Sequence, residues 1–147
     1  MSAENLCYAA HEGRLELIRK LIASQNIDVN CRDSYECTPL HRAVEMDHFD
    51  AAKMLISVGA DVNAKDNHGR TPLHYAALND STEMIDKLIS SGADINAVDD
   101  NMSTPLVRAA RHNRKNALRR LLHHGADVNI TDTHGCRAIH YATVGKK

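Results

Sequence analysis

The chain is nearly devoid of aromatic side chains: of 147 residues one is Phe, four are Tyr and none is Trp. Without large rings, one compact core is hard to fill, so many small aliphatic contacts between short elements are expected instead. No apolar run approaches the roughly 18 residues of a membrane span. The opening Met1-Ser2-Ala3-Glu4 is neither basic nor followed by an apolar stretch, so no secretory leader is expected. Cys7, Cys31, Cys37 and Cys136 include no C-x-x-C pair. Reduced thiols in the cytoplasm or nucleus are therefore expected rather than a disulfide framework. With 43% hydrophobic and 25% charged residues, the composition suits one soluble, folded domain and not a disordered chain.

The net charge of −1 conceals an asymmetry. Residues 1–97 carry 9 basic and 15 acidic side chains, a net −6, whereas residues 98–147 carry 9 basic and 4 acidic, a net +5. Such a charge dipole can steer a charged partner.

Self-comparison reveals a repeat of 33 residues. Thr38-Pro39-Leu40-His41 returns as Thr71-Pro72-Leu73-His74, as Thr104-Pro105-Leu106-Val107, and weakly as Arg137-Ala138-Ile139-His140. In phase with it, Gly59-Ala60-Asp61-Val62-Asn63 returns as Gly92-Ala93-Asp94-Ile95-Asn96 and Gly125-Ala126-Asp127-Val128-Asn129. A degenerate first copy is Asn26-Ile27-Asp28-Val29-Asn30. Each Pro falls in a first helical turn, where its missing N–H costs nothing, behind a Thr N-cap. A helix such as Pro72 to Asn79 is predicted, then a tight turn, then a second helix such as Thr82 to Ser91, stopped at Gly92. An extended arm with a β-turn tip leads to the next repeat.

The T-P-L-H-x-A pattern and the 33-residue period resemble the ankyrin-repeat family, over essentially the whole chain. The division is a capping repeat (1–31), full repeats (32–64, 65–97, 98–130) and a half repeat (131–147). The expected fold class is all-α: a short, curved solenoid of stacked helix-turn-helix units with β-turn or hairpin arms. Leu73, Ala76, Ala77, Ile85, Leu88 and Ile89, with their copies through to Leu118, Leu121 and Leu122, supply the inner face. One unit cannot cover that face, so neighbours must stack.

Some positions depart from the family pattern. Asp47, Asp80 and Asn113 stand where Gly usually joins the two helices; these residue types tolerate the left-handed backbone better than others. Glu36 and Met102 replace the arm-tip Gly seen at Gly69 and Gly135, so those turns are expected to be strained or altered. At the far end Ile139 and Ala142 close the stack, with Lys146 and Lys147 behind them. The expectation there is a fragment or short isoform of a longer protein.

No catalytic residue, cofactor or metal ligand is expected. His41, His74 and His140 occupy the repeat's own slot and should bond backbone in the adjacent arm. His123 and His124 are adjacent on a helix and cannot share one ion, and nothing resembles H-E-x-x-H. Cys37 and Cys136, on arms and expected to be exposed, have no His-plus-acid arrangement beside them. The chain is therefore read as no enzyme, with no small-molecule substrate, no membrane span and a monomeric state.

Subtracting the shared frame leaves the arm tips and the outward side of the first helices. The resemblance implies that these surfaces, facing an inner groove, bind a protein partner. The candidate partner-binding residues are Tyr35, Arg42, Met46, His68, Arg70, Tyr75, Leu78, Asn101, Arg108, Arg111 and His112. Tyr8, Arg42, Tyr75, Arg108 and Tyr141 share one repeat position. They are either five separate surface residues or a cation–π ladder along the groove. Arg108, Arg111, Arg114, Lys115, Arg119 and Arg120 favour an acidic protein segment over nucleic acid, because the overall charge is near zero and exposed aromatics are few. The leading reading is a non-enzymatic interaction module: an adaptor, scaffold, inhibitor or targeting subunit. The alternative is the N-terminal targeting region of a larger enzyme or ubiquitin-ligase adaptor, with nucleic-acid binding through repeat four ranked third.

Overall fold

The computed structural model describes residues 3–24 and 26–144. Among the described residues there are nine helices and no strand. They are α1 (Ala3–His11), α2 (Leu15–Ala23), α3 (Pro39–Glu45), α4 (Phe49–Ser57), α5 (Pro72–Leu78), α6 (Thr82–Ser90), α7 (Pro105–Arg111), α8 (Lys115–His123) and α9 (Ala138–Val144). The odd-numbered helices pack in succession as one layer, and α2, α4, α6 and α8 form a second. The proline-led helices begin where expected. Thr38 Oγ1 accepts from the His41 N–H (3.3 Å), and Thr104 Oγ1 from the Val107 N–H (3.1 Å). At the end of α6, Gly92 adopts φ 99°, and the Ala93 N–H closes onto the Leu88 carbonyl at 3.0 Å.

The core runs between the layers. Leu40, Leu73 and Leu106 of the first helices, with Leu55, Leu88 and Leu121 of the second, are essentially excluded from solvent. Ala51, Met84 and Ala117 are buried as well, on a face of the second helices outside the expected inner face. Conversely, Ile56, Ile89 and Leu118 are only partly buried and Leu122 is exposed. These four lie toward the next repeat, so their burial depends on what stacks there.

The non-glycine turns keep their shape. Asp47, Asp80 and Asn113 have φ of 57°, 58° and 58°. Asp80 also ties its turn to the next repeat. Its carboxylate accepts from the Ala117 N–H at 2.6 Å and from Asn116 Nδ2 at 3.1 Å, capping the start of α8. Glu36 and Met102 sit at φ 61° and 59°, so the arm tips there are strained but not altered. The arms are linked turns. The Asn67 N–H bonds the Tyr35 carbonyl at 3.2 Å, the Asp100 N–H the His68 carbonyl at 3.0 Å, and the Thr133 N–H the Asn101 carbonyl at 3.0 Å. The side chain of Ala142 and residues Lys146 and Lys147, expected to end the stack, lie outside what is described.

Candidate groove formed by arm tips and first helices

At each arm tip one carboxylate organises the turn. An oxygen of Asp66 accepts the His68 and Arg70 N–H groups at 2.8 and 2.9 Å. Asp33, Asp99 and Asp132 do the same for the residues two and four positions on, at 2.9 to 3.1 Å. The other oxygen faces the residue nine positions later, on the first helix. Asp33 binds Arg42 at 2.8 Å, Asp66 takes the Tyr75 hydroxyl, Asp99 faces Arg108 at 3.6 Å and Asp132 takes the Tyr141 hydroxyl.

The alternating Tyr and Arg positions are thus two chemical answers to one need, a donor for a buried carboxylate. The ladder, one of the two readings open for this row, is not formed. Arg42, Tyr75, Arg108 and Tyr141 each turn back to their own arm while Tyr8 is exposed, and the ring–guanidinium contacts are Arg42 over Tyr35 (5.6 Å), Arg70 over Tyr75 (5.7 Å) and Arg111 over Tyr141 (5.0 Å). Tyr75 and Arg108 are not such a pair.

These contacts set the local proton affinities. Burial alone would raise Asp132, but the Tyr141 hydroxyl, the Cys136 and His134 N–H groups and Arg111 outweigh it and hold the carboxyl at about 2. Burial and the bond to Asp66 push the Tyr75 hydroxyl well above its ordinary range. Arg108 is less well served. Its affinity is lowered by burial and by the charges of Arg70 and Arg111, and its buried Nε has no hydrogen-bond partner. Arg108→Tyr is therefore expected to raise the thermal midpoint, because a ring hydroxyl can reach Asp99 as Tyr75 reaches Asp66. Calorimetry checks this; a loss of about 1 kcal/mol or more would show that the guanidinium itself is needed.

The histidine slot behaves as expected in two repeats. His41 Nδ1 accepts from the Thr38 N–H at 3.0 Å, so Nε2 carries the proton and donates to the Arg70 carbonyl at 2.9 Å. His74 repeats this with Thr71 at 3.0 Å and Ser103 at 2.8 Å. His140 is exposed, and its described bond is the one Nδ1 accepts from the Arg137 N–H at 2.9 Å.

Of the candidate binding residues, Tyr35, Met46, His68, Asn101 and His112 are exposed, Tyr35 by 61% and Met46 by 45%. Arg42, Arg70, Tyr75, Arg108 and Arg111 are partly buried and tied to the arm carboxylates. Leu78 is half-buried rather than exposed, and Arg114 of the following repeat reaches its carbonyl at 2.6 Å. Cys37 is buried, not exposed, and burial pushes its thiol up to about 11. Met102, absent from the candidate set, projects from an arm tip at 48% exposure; the signal was its place in the Gly69 and Gly135 register. At the N-terminal end Tyr8, His11, Ser34, Tyr35 and Arg42 line a recess of about 220 Å³. His112 is held below its ordinary proton affinity by partial burial and by Arg108, Arg114 and Arg111, which marks this stretch as electropositive. Among the described residues no cluster of His, Cys, Asp and Glu is placed to hold a metal, and no helix is long and apolar enough to cross a membrane.

Comparison with known proteins gives matches of one kind. A family profile described as "Ankyrin repeats (3 copies)" matches residues 6–99, and one described as "Ankyrin repeats (many copies)" matches residues 106–144. The chain is 43% identical over 51 residues to ankyrin repeat domain-containing protein 49 of Homo sapiens, covering 35% of this chain and 21% of that protein. It is 41% identical over 51 residues to alpha-latrocrustotoxin-Lt1a of Latrodectus tredecimguttatus, covering 35% of this chain and 4% of the toxin. The match thus spans about a fifth or less of the length of these relatives.

Proposed function

Because the chain belongs to the ankyrin-repeat family, whose repeats are protein-interaction modules, we propose that its groove binds a protein partner that presents an acidic segment. One observation carries this reading. The side chains that the frame does not consume, Tyr35, Met46, His68, Asn101, Met102 and His112, all project from arm tips and first-helix ends. Tyr35 and the two methionines supply apolar anchors. Arg108, Arg111 and Arg114 around His112 supply the complement to negative charge. The role is that of an adaptor or scaffold in the cytoplasm or nucleus, acting without catalysis.

The test separates binding from folding. Tyr35→Ala, Met46→Ala and His112→Ala are surface changes and should each alter stability by at most about 0.5 kcal/mol. Affinity capture with the wild type and the triple variant, followed by mass spectrometry, should show proteins held by the first and lost by the second. Their retention should weaken with salt. Identical capture by both, with unchanged melting, would place the binding surface elsewhere.

A further inference from the structure

Internal layers of the stack are tied to the next by polar connectors. Asn30 and Asn63 donate from Nδ2 to the Gly59 and Gly92 carbonyls at 3.2 and 3.1 Å. Asp86 of α6 receives Arg120 at 2.7 and 2.9 Å and His124 at 2.8 Å from α8. Ile85 of α6 is fully buried where α8 packs against it.

One repeat beyond Asp86 and Ile85 stand Arg119 and Leu118, and they face the C-terminal end. There Leu122, Val128 and Ile139 are 44%, 47% and 63% exposed. With Leu106, Leu118 and Ala138 they line an apolar slot of about 380 Å³ that has Arg137 at its edge.

We propose that this end face docks one amphipathic helix of a protein partner, its apolar side chains filling the slot and a carboxylate set against Arg119. A helix is the matching shape, because the corresponding face of α6 is covered by α8. The sign of the partner follows from the register. Where α6 offers Asp86 to a basic helix, α8 offers Arg119, and neither it nor the neighbouring Lys115 has an ion pair among the described residues. The incoming helix must therefore be acidic at that register. A second copy can meet this face only through its own end face, which would set Arg119 and Lys115 of each against those of the other, like charge on like. This surface is separate from the groove and does not depend on it.

The probe is a fluorescent peptide of residues 114–124 carrying Arg120→Glu and His124→Glu, cross-linked on its solvent face so that so short a helix is preformed. A second peptide keeps Arg120 and His124. The first should bind the full chain saturably in low salt, at least about tenfold more tightly than the second. Leu122→Glu or Ile139→Glu in the chain, both at exposed positions, should weaken it at least about tenfold with melting unchanged. Arg119→Glu should reverse the preference between the peptides. Equal binding of both peptides, no binding at millimolar concentration, or binding indifferent to Leu122→Glu would each overturn the proposal. So would a dimer in sedimentation that Leu122→Glu abolishes, since that assigns the face to a second copy. The groove variants should leave peptide binding untouched, so this result and the capture experiment stand or fall separately.

Discussion

Asp66→Ala should lower the stability by about 3 kcal/mol, the largest loss expected from any single polar side chain of the central repeats. Asp66 is 7% exposed and accepts from three donors, the His68 and Arg70 N–H groups and the Tyr75 hydroxyl, with the Arg70 guanidinium 3.7 Å away as an ion pair. Truncation leaves two backbone donors and a buried hydroxyl without an acceptor. For a chain of this size the thermal midpoint should fall by roughly 10 °C. Asp61→Ala, which frees one exposed backbone N–H from its 2.9 Å bond, should cost about a third as much. Equal losses from the two substitutions in chemical denaturation would show that the tip carboxylate is not the organising group.

Acid should destabilise the protein well above the range in which carboxylates titrate. His74 is buried and must stay neutral, because its Nδ1 is committed to accepting from Thr71. Burial, against the Ser103 carbonyl and Asp99, pushes it down to about 4, and His41 is lowered for the same reason. Above pH 6.5 the imidazole is neutral in both folded and unfolded chains and contributes no pH dependence. As pH falls from 6.5 toward 4, the unfolded chain takes up a proton that the folded one refuses, and the folded state loses stability. The loss from His74 approaches about 3 kcal/mol. Asp132 has the opposite shift: its contribution is present above about 3.8 and lost as pH drops toward 2, below this window. Denaturant midpoints between pH 7 and 4 should therefore fall steeply for the wild type. They should fall less for His41→Val/His74→Val, the residue that repeat four already carries as Val107. Parallel slopes would place the acid sensitivity elsewhere.

The period of 33 makes the helices legible because each signal acts locally. A proline fits only a first turn, and Asp80 or Asn113 can replace Gly because one backbone angle decides the matter. The histidine slot is legible for the same reason: its Thr lies three residues away. The arm carboxylates are different. Asp66 and Tyr75 are nine residues apart, joined by a turn whose geometry no single residue announces, so the Tyr and Arg positions read as a surface stripe and not as donors. Ile89 and Leu122 occupy one register and look alike in sequence. Only the presence of α8 over the first, and the exposure of the second, tells them apart.

The asparagine connectors bear on how the stack would behave under tension. Pulled by its two ends, the protein would load the junctions in series, so the one with fewest bonds should part first. The first two are tied by an Asn side chain at both atoms: Asn30 to Gly59 and Asp61, and Asn63 to Gly92 and Asp94. His41 adds a bond across the second junction, and His74 one across the third. The junction after Asn96 keeps one asparagine bond, from the Asp127 N–H at 2.9 Å, but Arg120 and His124 also tie it to Asp86, and the Ala117 N–H to Asp80, ties of a kind that the first junction does not show among the described residues. Rupture would therefore begin away from that junction, and the molecule would lengthen in steps of about one repeat. It would work as a chain of small springs, with its most heavily bonded link beside its most basic segment.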